Sequence, residues 1–302
     1  MSPLVTLFAC LLLGIACRRF ARLPEGIVPG INWWVLNIAL PALVLALVPR
    51  LHPEPSLWLP AAGAYVVFFG AWLVFATVGR FLGWSRARIG CLTLVCGLGN
   101  TSFMGYPMMQ ALHGTPGLSV AVVADQLGTF PLLAIGGIAV ASLYSGSKPS
   151  VAVMARRLFT FPAFLALLLG VAIGMLGGWP ATVEGALEQV GGTLTPLALF
   201  SVGLQFRLHL EAGQAGALVL GLAWKLMLAP VLVLLLGLAC GYGGVVLVVA
   251  VLQAAMAPMI SAAILADQYN LEPRLGNTVL GAGIALSLLT ITAGNALLMM
   301  MR

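Results

Sequence analysis

A chain of 302 residues that is 61% hydrophobic and only 7% charged is not a water-soluble globule, in which charged residues make up about a quarter of the chain. Composition places it in a bilayer as a polytopic protein, and 36 glycines and 18 prolines fit closely packed, locally broken spans. The net charge of +6 does not mark a nucleic-acid binder, because no run of Lys and Arg exceeds two adjacent residues.

At about 20 residues per span, charged and Pro/Gly-rich junctions divide the chain into ten apolar segments. The first, 3–17, has no basic residue ahead of it and Arg18, Arg19 and Arg22 behind it. That order argues for an uncleaved first span with its N-terminus outside. Segments 32–48, 57–81, 89–112 and 117–144 complete a first half, residues 1–144. A polar linker, 145–158, leads to a second half, 159–302, with segments 159–178, 186–206, 215–239, 244–265 and 274–300. In this register Arg18, Arg19, Arg22, Arg80, Arg86, Arg88, Lys148, Arg156, Arg157, Arg207 and Arg274 share one side of the membrane. Only Arg50 and Arg302 fall on the other, and Lys225 lies inside a span. The bias puts the linker in the cytoplasm and both termini outside the cell membrane.

Five crossings per half reverse the direction of the second half relative to the first. Two landmarks repeat at similar offsets: Pro41 and Pro196 are 155 residues apart, and Pro107 and Pro258 are 151 apart. The expected architecture is an all-α bundle of ten transmembrane helices in two inverted five-helix repeats. Segments four and nine carry the prolines Pro107 and Pro258. In lipid a broken helix survives only where its freed polar groups face protein, water or ligand. Paired breaks at matching places in two inverted halves point to a secondary carrier whose site lies where they meet.

The motif Gly99-NTSFMGYPMMQALHG-Gly114, the phrase Asn37-IALPALV-Val44, the phrase Pro196-LALFSVG-Gly203 and the ending Asp267-QYNLEP-Pro273 together resemble the auxin efflux carrier family, whose bacterial branch holds malate and malonate permeases. The resemblance covers nearly the whole chain. It implies a fold shared with bile-acid/sodium symporters, with spans 1, 2, 6 and 7 as a scaffold and spans 3–5 and 8–10 as a mobile domain in which broken spans 4 and 9 cross. It further implies an elevator-type displacement of substrate bound at the crossover, and a homodimer formed through the scaffold. The short linker is that of a compact prokaryotic member.

Chemistry at the crossover follows from helix ends. The N–H end of each second half-helix carries about half a positive charge, so converging ends attract a carboxylate without an arginine. Asn100 and Thr101 either bond a substrate or cap the break; Gly105 allows close backbone approach, and Tyr106 beside Pro107 either stacks on an organic anion or fills the core. In the second repeat Gln253 and Ser261 flank Pro258 as polar counterparts. Asn37 faces the crossover from segment two, with an interhelical hydrogen bond as the other reading; Thr193 and Thr195 lie near Pro196, where packing is the stronger reading. Asp125 is an acid well inside a span and is functional by default, as a proton or sodium partner, unless it pairs with Gln126, Asn100 or Lys225. Lys225 either snorkels to the interface or pairs with Asp125 or a carbonyl of segment nine. Asp267 reads as an interfacial residue.

No metal or cofactor is expected: the five cysteines show no metal spacing and read as packing residues. His52, His113 and His209 fall at span ends, and Trp33, Trp34, Trp58, Trp84 and Trp179 fall near ends as an aromatic belt requires. The expected partners are a small organic anion, the lipid bilayer and a second copy of the chain. Two alternatives stand beside the carrier. A sodium-coupled bile-acid-type symporter is weakened because Gln253 stands where an acid would help dehydrate sodium. An intramembrane aspartyl protease would need Asp125 and Asp267 within reach of each other.

Overall fold

The computed structural model describes residues 3–51, 54–206 and 213–300, so His52, His209, Arg207, Arg302 and both chain ends lie outside the described residues. The described chain is helical, with no strand. In chain order the helices are α1 (Pro3–Phe20), α2 (Ile27–Arg50), α3 (Pro55–Phe81), α4 (Arg86–Gly97), α5 (Thr101–Ser145), α6 (Val151–Phe159) and α7 (Pro162–Met175). They continue as α8 (Ala181–Gly192), α9 (Leu194–Gln205), α10 (Ala215–Ala239), α11 (Gly244–Ala254), α12 (Ile260–Gln268) and α13 (Pro273–Met300). Among the described residues α2, α3, α5, α10 and α13 are long and apolar enough to cross a membrane, and α6 with α7, bent by 55°, make a sixth if taken as one span. Other segments are interrupted: α4 and α11 end in mid-segment, and α5 is broken at Gly114, whose φ of 62° and ψ of −157° no side chain would tolerate.

Prolines inside the helices are absorbed by a recurring device. A π-helical turn ends two residues ahead of each of four prolines: Val35–Ala39 before Pro41, Thr101–Gly105 before Pro107, Ala124–Thr129 before Pro131 and Trp224–Leu228 before Pro230. A proline has no N–H to give the preceding turn and its ring crowds that turn's carbonyl; widening the turn relieves both.

The chain divides into two compact units. Unit 1 comprises Met1–Pro55, Ser102–Val122 and Arg156–Phe206. The resemblance groups all of span four with spans three and five, yet residues 102–122 belong to unit 1. Its helices meet through small residues, as lipid provides no hydrophobic drive for association and close backbone approach must replace it. A Cβ on Gly203 of α9 would lie 2.9 Å from the Gly14 Cα of α1, and one on Gly191 of α8 would lie 2.9 Å from the Leu43 Cα of α2. Arg18 donates to the carbonyls of Leu204 and Phe206 at 3.0 and 3.1 Å, satisfying the end of α9. Arg50 pairs with Glu184 and, at 2.7 Å, with Glu188 of α8.

Unit 2 comprises Ser56–Thr101, Val123–Ala155 and Arg207–Arg302. Ser85 caps α4 by accepting from the Arg88 N–H at 3.0 Å, and every residue of α4 from Ile89 onward is buried. A helix apolar all round belongs in the middle of a bundle. Arg88 and Ser85 both bond Glu272, at 3.0 and 2.8 Å, which ties the start of α4 to the turn before α13. Trp58 bonds the Tyr242 hydroxyl at 2.9 Å and Trp72 bonds that of Tyr144 at 3.0 Å. The cysteines are free thiols; Cys91 and Cys96 are buried in α4, whereas Cys240 is exposed.

Candidate functional site

Two helices of unit 2 stop short inside the bundle. After Gly97 the chain turns extended at Leu98 (φ −110°, ψ 132°), and α5 begins at Thr101. After Ala254 it leaves α11, passes Pro258, is extended at Met259 (φ −81°, ψ 127°) and starts α12 at Ile260. The two stretches lie antiparallel, with Gly99 opposite Pro258. The Asn100 N–H donates to the Ala257 carbonyl at 2.8 Å, and the Met259 N–H donates to the Leu98 carbonyl at 3.1 Å. Each break thus supplies the backbone partners the other lacks, which is how irregular backbone survives deep in such a bundle. The Pro258 ring fills the space that a side chain at Gly283 would need.

Polar side chains gather on this pairing. Thr101, 3% exposed, donates its hydroxyl to Asp125 Oδ1, and Gln126 donates to Asp125 Oδ2 at 3.0 Å. Gln253 donates through Nε2 to the Thr101 carbonyl at 3.4 Å, bridging the two breaks by side chain as well as by backbone. Lys225 is 1% exposed and its Nζ donates to the Ala254 carbonyl, the last of α11, at 3.0 Å. At the breaks themselves two buried atoms have no partner among the described residues: the Asn100 Nδ2 donor and the Gln253 Oε1 acceptor. A buried polar atom left unpaired costs about 1–3 kcal/mol, so such atoms point to a water, ion or ligand. Gln253, Lys225, Thr101, Thr129, Gly99 and Ala254 share the wall of a cavity of about 10 Å³, what one water molecule needs.

Most, but not all, of the residues expected from sequence come together here. Asn100, Thr101, Gln253, Pro258, Asp125 and Lys225 lie in unit 2 at or beside the paired breaks, and Ser261 is half-buried in the first turn of α12. Pro107 is not at a break: interruption falls at Leu98–Asn100, and Pro107 follows the π-helical turn within α5. Gly105, Tyr106 and Pro107 are buried and belong to unit 1. Asn37, also in unit 1, gives its amide to the Trp33 carbonyl of its own helix, 2.9 Å away. Thr193 donates to the Val190 carbonyl at 2.7 Å and accepts from Trp34, while Thr195 bonds Gln110 at 3.1 Å. Among the described residues Lys225 makes no ion pair with Asp125; of the two pairings expected, it takes the carbonyl. Asp267 is exposed at the end of α12 and Asp125 is buried, so the two acids sit in opposite environments and form no catalytic dyad.

Gly99, Ala254 and Thr129 were not singled out from sequence. Gly99 had a signal: a glycine directly before Asn100, where two backbones must approach. Ala254 contributes only a carbonyl, which no side chain advertises.

A family model described as membrane transport protein matches residues 1–293, and the chain belongs to that family, which holds the auxin efflux carriers and malonate permeases. It is 27% identical over 301 residues to an uncharacterized transporter of Methanothermobacter thermautotrophicus, covering 96% of this chain and 95% of that one. It is 26% identical over 295 residues to a putative malonate transporter of Rhizobium meliloti, covering 94% and 91%. A shorter match, 31% over 153 residues, joins it to a probable auxin efflux carrier component 5a of Oryza sativa subsp. japonica, covering 47% of this chain and 42% of that one. The chain is a multi-pass membrane transporter and not an enzyme.

Proposed function

We propose that this transporter is a secondary carrier of small organic anions of the carboxylate class, binding them at the paired breaks. The observation that carries the reading is the antiparallel pairing of Leu98–Asn100 with Ala257–Met259, with the buried Asn100 amide donor left unpaired beside it. The half-helices α5 and α12 begin at these breaks, and a helix start offers N–H groups and partial positive charge to an anion. Asn100, Thr101, Gln253 and Ser261 supply the polar contacts, with Pro258 holding the second break open. The name of the Rhizobium meliloti relative, a putative malonate transporter, supports a dicarboxylate among the substrates.

Around this site the reading is a ten-span bundle of two inverted five-helix repeats in the cell membrane, with both termini outside and a cytoplasmic linker. A homodimer moves substrate by an elevator-type step in which the bundle bearing both breaks carries it across. Asp125 couples the step to the proton gradient: it is a buried carboxyl held by Thr101, whose backbone lies at the first break. A sodium-coupled symporter is less well supported, as Gln253 rather than an acid precedes the second break.

The test begins with a thermal-shift screen of purified protein against mono- and dicarboxylates and indole acids, with and without sodium, because a ligand of the folded state raises its stability. Hits then go to proteoliposomes. A carrier gives saturable uptake that is accelerated by substrate on the opposite side. Flux linear in concentration and indifferent to the opposite side marks a channel and overturns the proposal.

A further inference from the structure

The carrier reading leaves one buried charge unexplained. Lys225 lies in the π-helical turn Trp224–Leu228 of α10, its side chain wholly inside unit 2. An ammonium at that depth is costly, and such residues are retained where they pair with an acid or line a transport path. Among the described residues no carboxylate lies within ion-pair distance of it. Its partner is the Ala254 carbonyl at the C-terminal end of α11, where unpaired carbonyls and the helix dipole concentrate negative charge.

The surroundings are those of a cation site. An ammonium has three donors, and the Ala254 carbonyl takes one. On the same cavity wall stand Thr101, Thr129 and Gln253, whose buried Oε1 acceptor has no partner in the protein. Backbone carbonyl, amide oxygen and hydroxyls are hard oxygen ligands, and the C-terminal end of an interrupted helix is where transporters of broken-helix architecture hold Na⁺. The backbone itself makes room for the charge. A Cβ on Gly99 would stand 2.9 Å from the Lys225 Nζ, so a side chain at the first break would push the ammonium from its present position.

We infer that the Lys225 ammonium is a tethered cation occupying a monovalent-cation position at the C-terminal end of α11, so that the site needs no sodium. The inference rests on the carrier reading and deepens it. A mobile ion at this position would have to be bound and released in each cycle; a lysine stays tethered there throughout it. The cavity, about 10 Å³, then holds the water that bridges the remaining donors of the ammonium to Gln253 Oε1.

The test uses the full-length protein, wild type and Lys225→Ala, purified in detergent, with thermal unfolding followed in sodium chloride and in choline chloride at equal ionic strength. The wild type is expected to unfold at the same temperature in both salts and to bind no ²²Na⁺. Lys225→Ala empties the position and leaves its oxygen ligands, so its midpoint is expected to rise by about 5 °C in saturating sodium over choline. A wild type stabilised specifically by sodium, or binding ²²Na⁺, overturns the inference; so does a variant that sodium does not stabilise. A variant that cannot be recovered folded in either salt shows that sodium cannot stand in for the ammonium and overturns it too. No organic anion enters these measurements. Radiolabelled malonate uptake, run separately, tells against the carrier reading if it fails and leaves the cation result standing.

Discussion

The two compact units use polar residues in opposite ways. Of the polar and charged side chains buried among the described residues, Asn100, Thr101, Asp125, Gln126, Thr129, Lys225 and Gln253 all lie in unit 2, beside the paired breaks or in the helices that face them. Among its described residues unit 1 buries the hydroxyls of Ser102 and Ser201 and the Tyr106 side chain but no amide or charged group, and its ion pairs, Arg50 with Glu184 and Glu188, are exposed. Its tight contacts are backbone against backbone at Gly14, Gly203 and Gly191. Buried polar groups cost stability unless fully paired, so a bundle that concentrates them, and leaves Asn100 Nδ2 and Gln253 Oε1 unpaired, has been shaped by something other than folding. On the proposed function, unit 1 packs and unit 2 carries the chemistry.

The largest expected effect that can break this contrast is at Asn100. If its amide donates to the substrate carboxylate, Asn100→Ala loses one hydrogen bond to a charged group, about 1.5–3 kcal/mol, or roughly 10- to 100-fold in affinity. The variant should keep its unfolding midpoint within a few degrees, because the bonds that tie this break to the other are made by backbone atoms. Isothermal titration with the best anion from the screen measures it, and unchanged affinity would remove Asn100 from the site. Next is Asp125→Asn, which keeps the side chain's shape and removes the carboxylate. Uptake into proteoliposomes should fall and should stop responding to an imposed pH gradient, because the positioned proton-transfer group is gone. A variant that still follows the gradient makes Asp125 a structural partner of Thr101 and Gln126.

These residues show how far the sequence could be read and where it stopped. The apolar segments are helical because their hydropathy leaves the backbone no other way to satisfy itself in lipid. The paired breaks were legible in kind, and so were Asn100, Gln253 and Lys225. The position of the first break was not, because no proline stands at Leu98–Asn100. In this chain Pro41, Pro107, Pro131 and Pro230 are each absorbed by a π-helical turn just ahead of them, whereas Pro258 stands at the second of the paired breaks. The turns carry their own information: Asn37, Thr101, Asp125 and Lys225 all lie within them, where the widened backbone displaces a side chain from regular helical register. That pattern depends on hydrogen-bond geometry several residues away and leaves no trace in composition. The partner of Lys225 was equally hidden, since a carbonyl made available by a helix ending is a property of the fold.

The contrast sharpens from the other side at the crossing of α1 and α9. Gly203→Val places a branched side chain where a Cβ alone would stand 2.9 Å from the Gly14 Cα, so the helices must separate. Overpacking of this kind costs about 2 kcal/mol and should lower the unfolding midpoint by several degrees. The folded fraction should bind the anion with wild-type affinity, because no group of the proposed site has changed. Weaker binding in the folded fraction would show that unit 1 does more than pack.

The smallest effect is expected at the exposed ion pairs of unit 1. The hydrogen bond from the Arg50 guanidinium, helped by its charge and opposed by slight burial, holds the Glu184 carboxyl below its ordinary range. A carboxyl whose folded-state value is depressed contributes stability above its unfolded value, about 4.3, and loses it as pH falls through the folded one. Glu184→Gln should therefore unfold slightly below the wild type at pH 7, by about a degree or less, since Glu188 still holds Arg50 at 2.7 Å and exposed pairs contribute little. The gap should close as pH is lowered from 5 toward 3, where the wild-type carboxyl also becomes neutral, and it should narrow in high salt. A gap that stays constant from pH 7 to pH 3 means that the Glu184 side chain acts through its packing on α8 and not its charge. Anion binding should be unaffected at every pH, which separates this surface pair from the buried groups of unit 2.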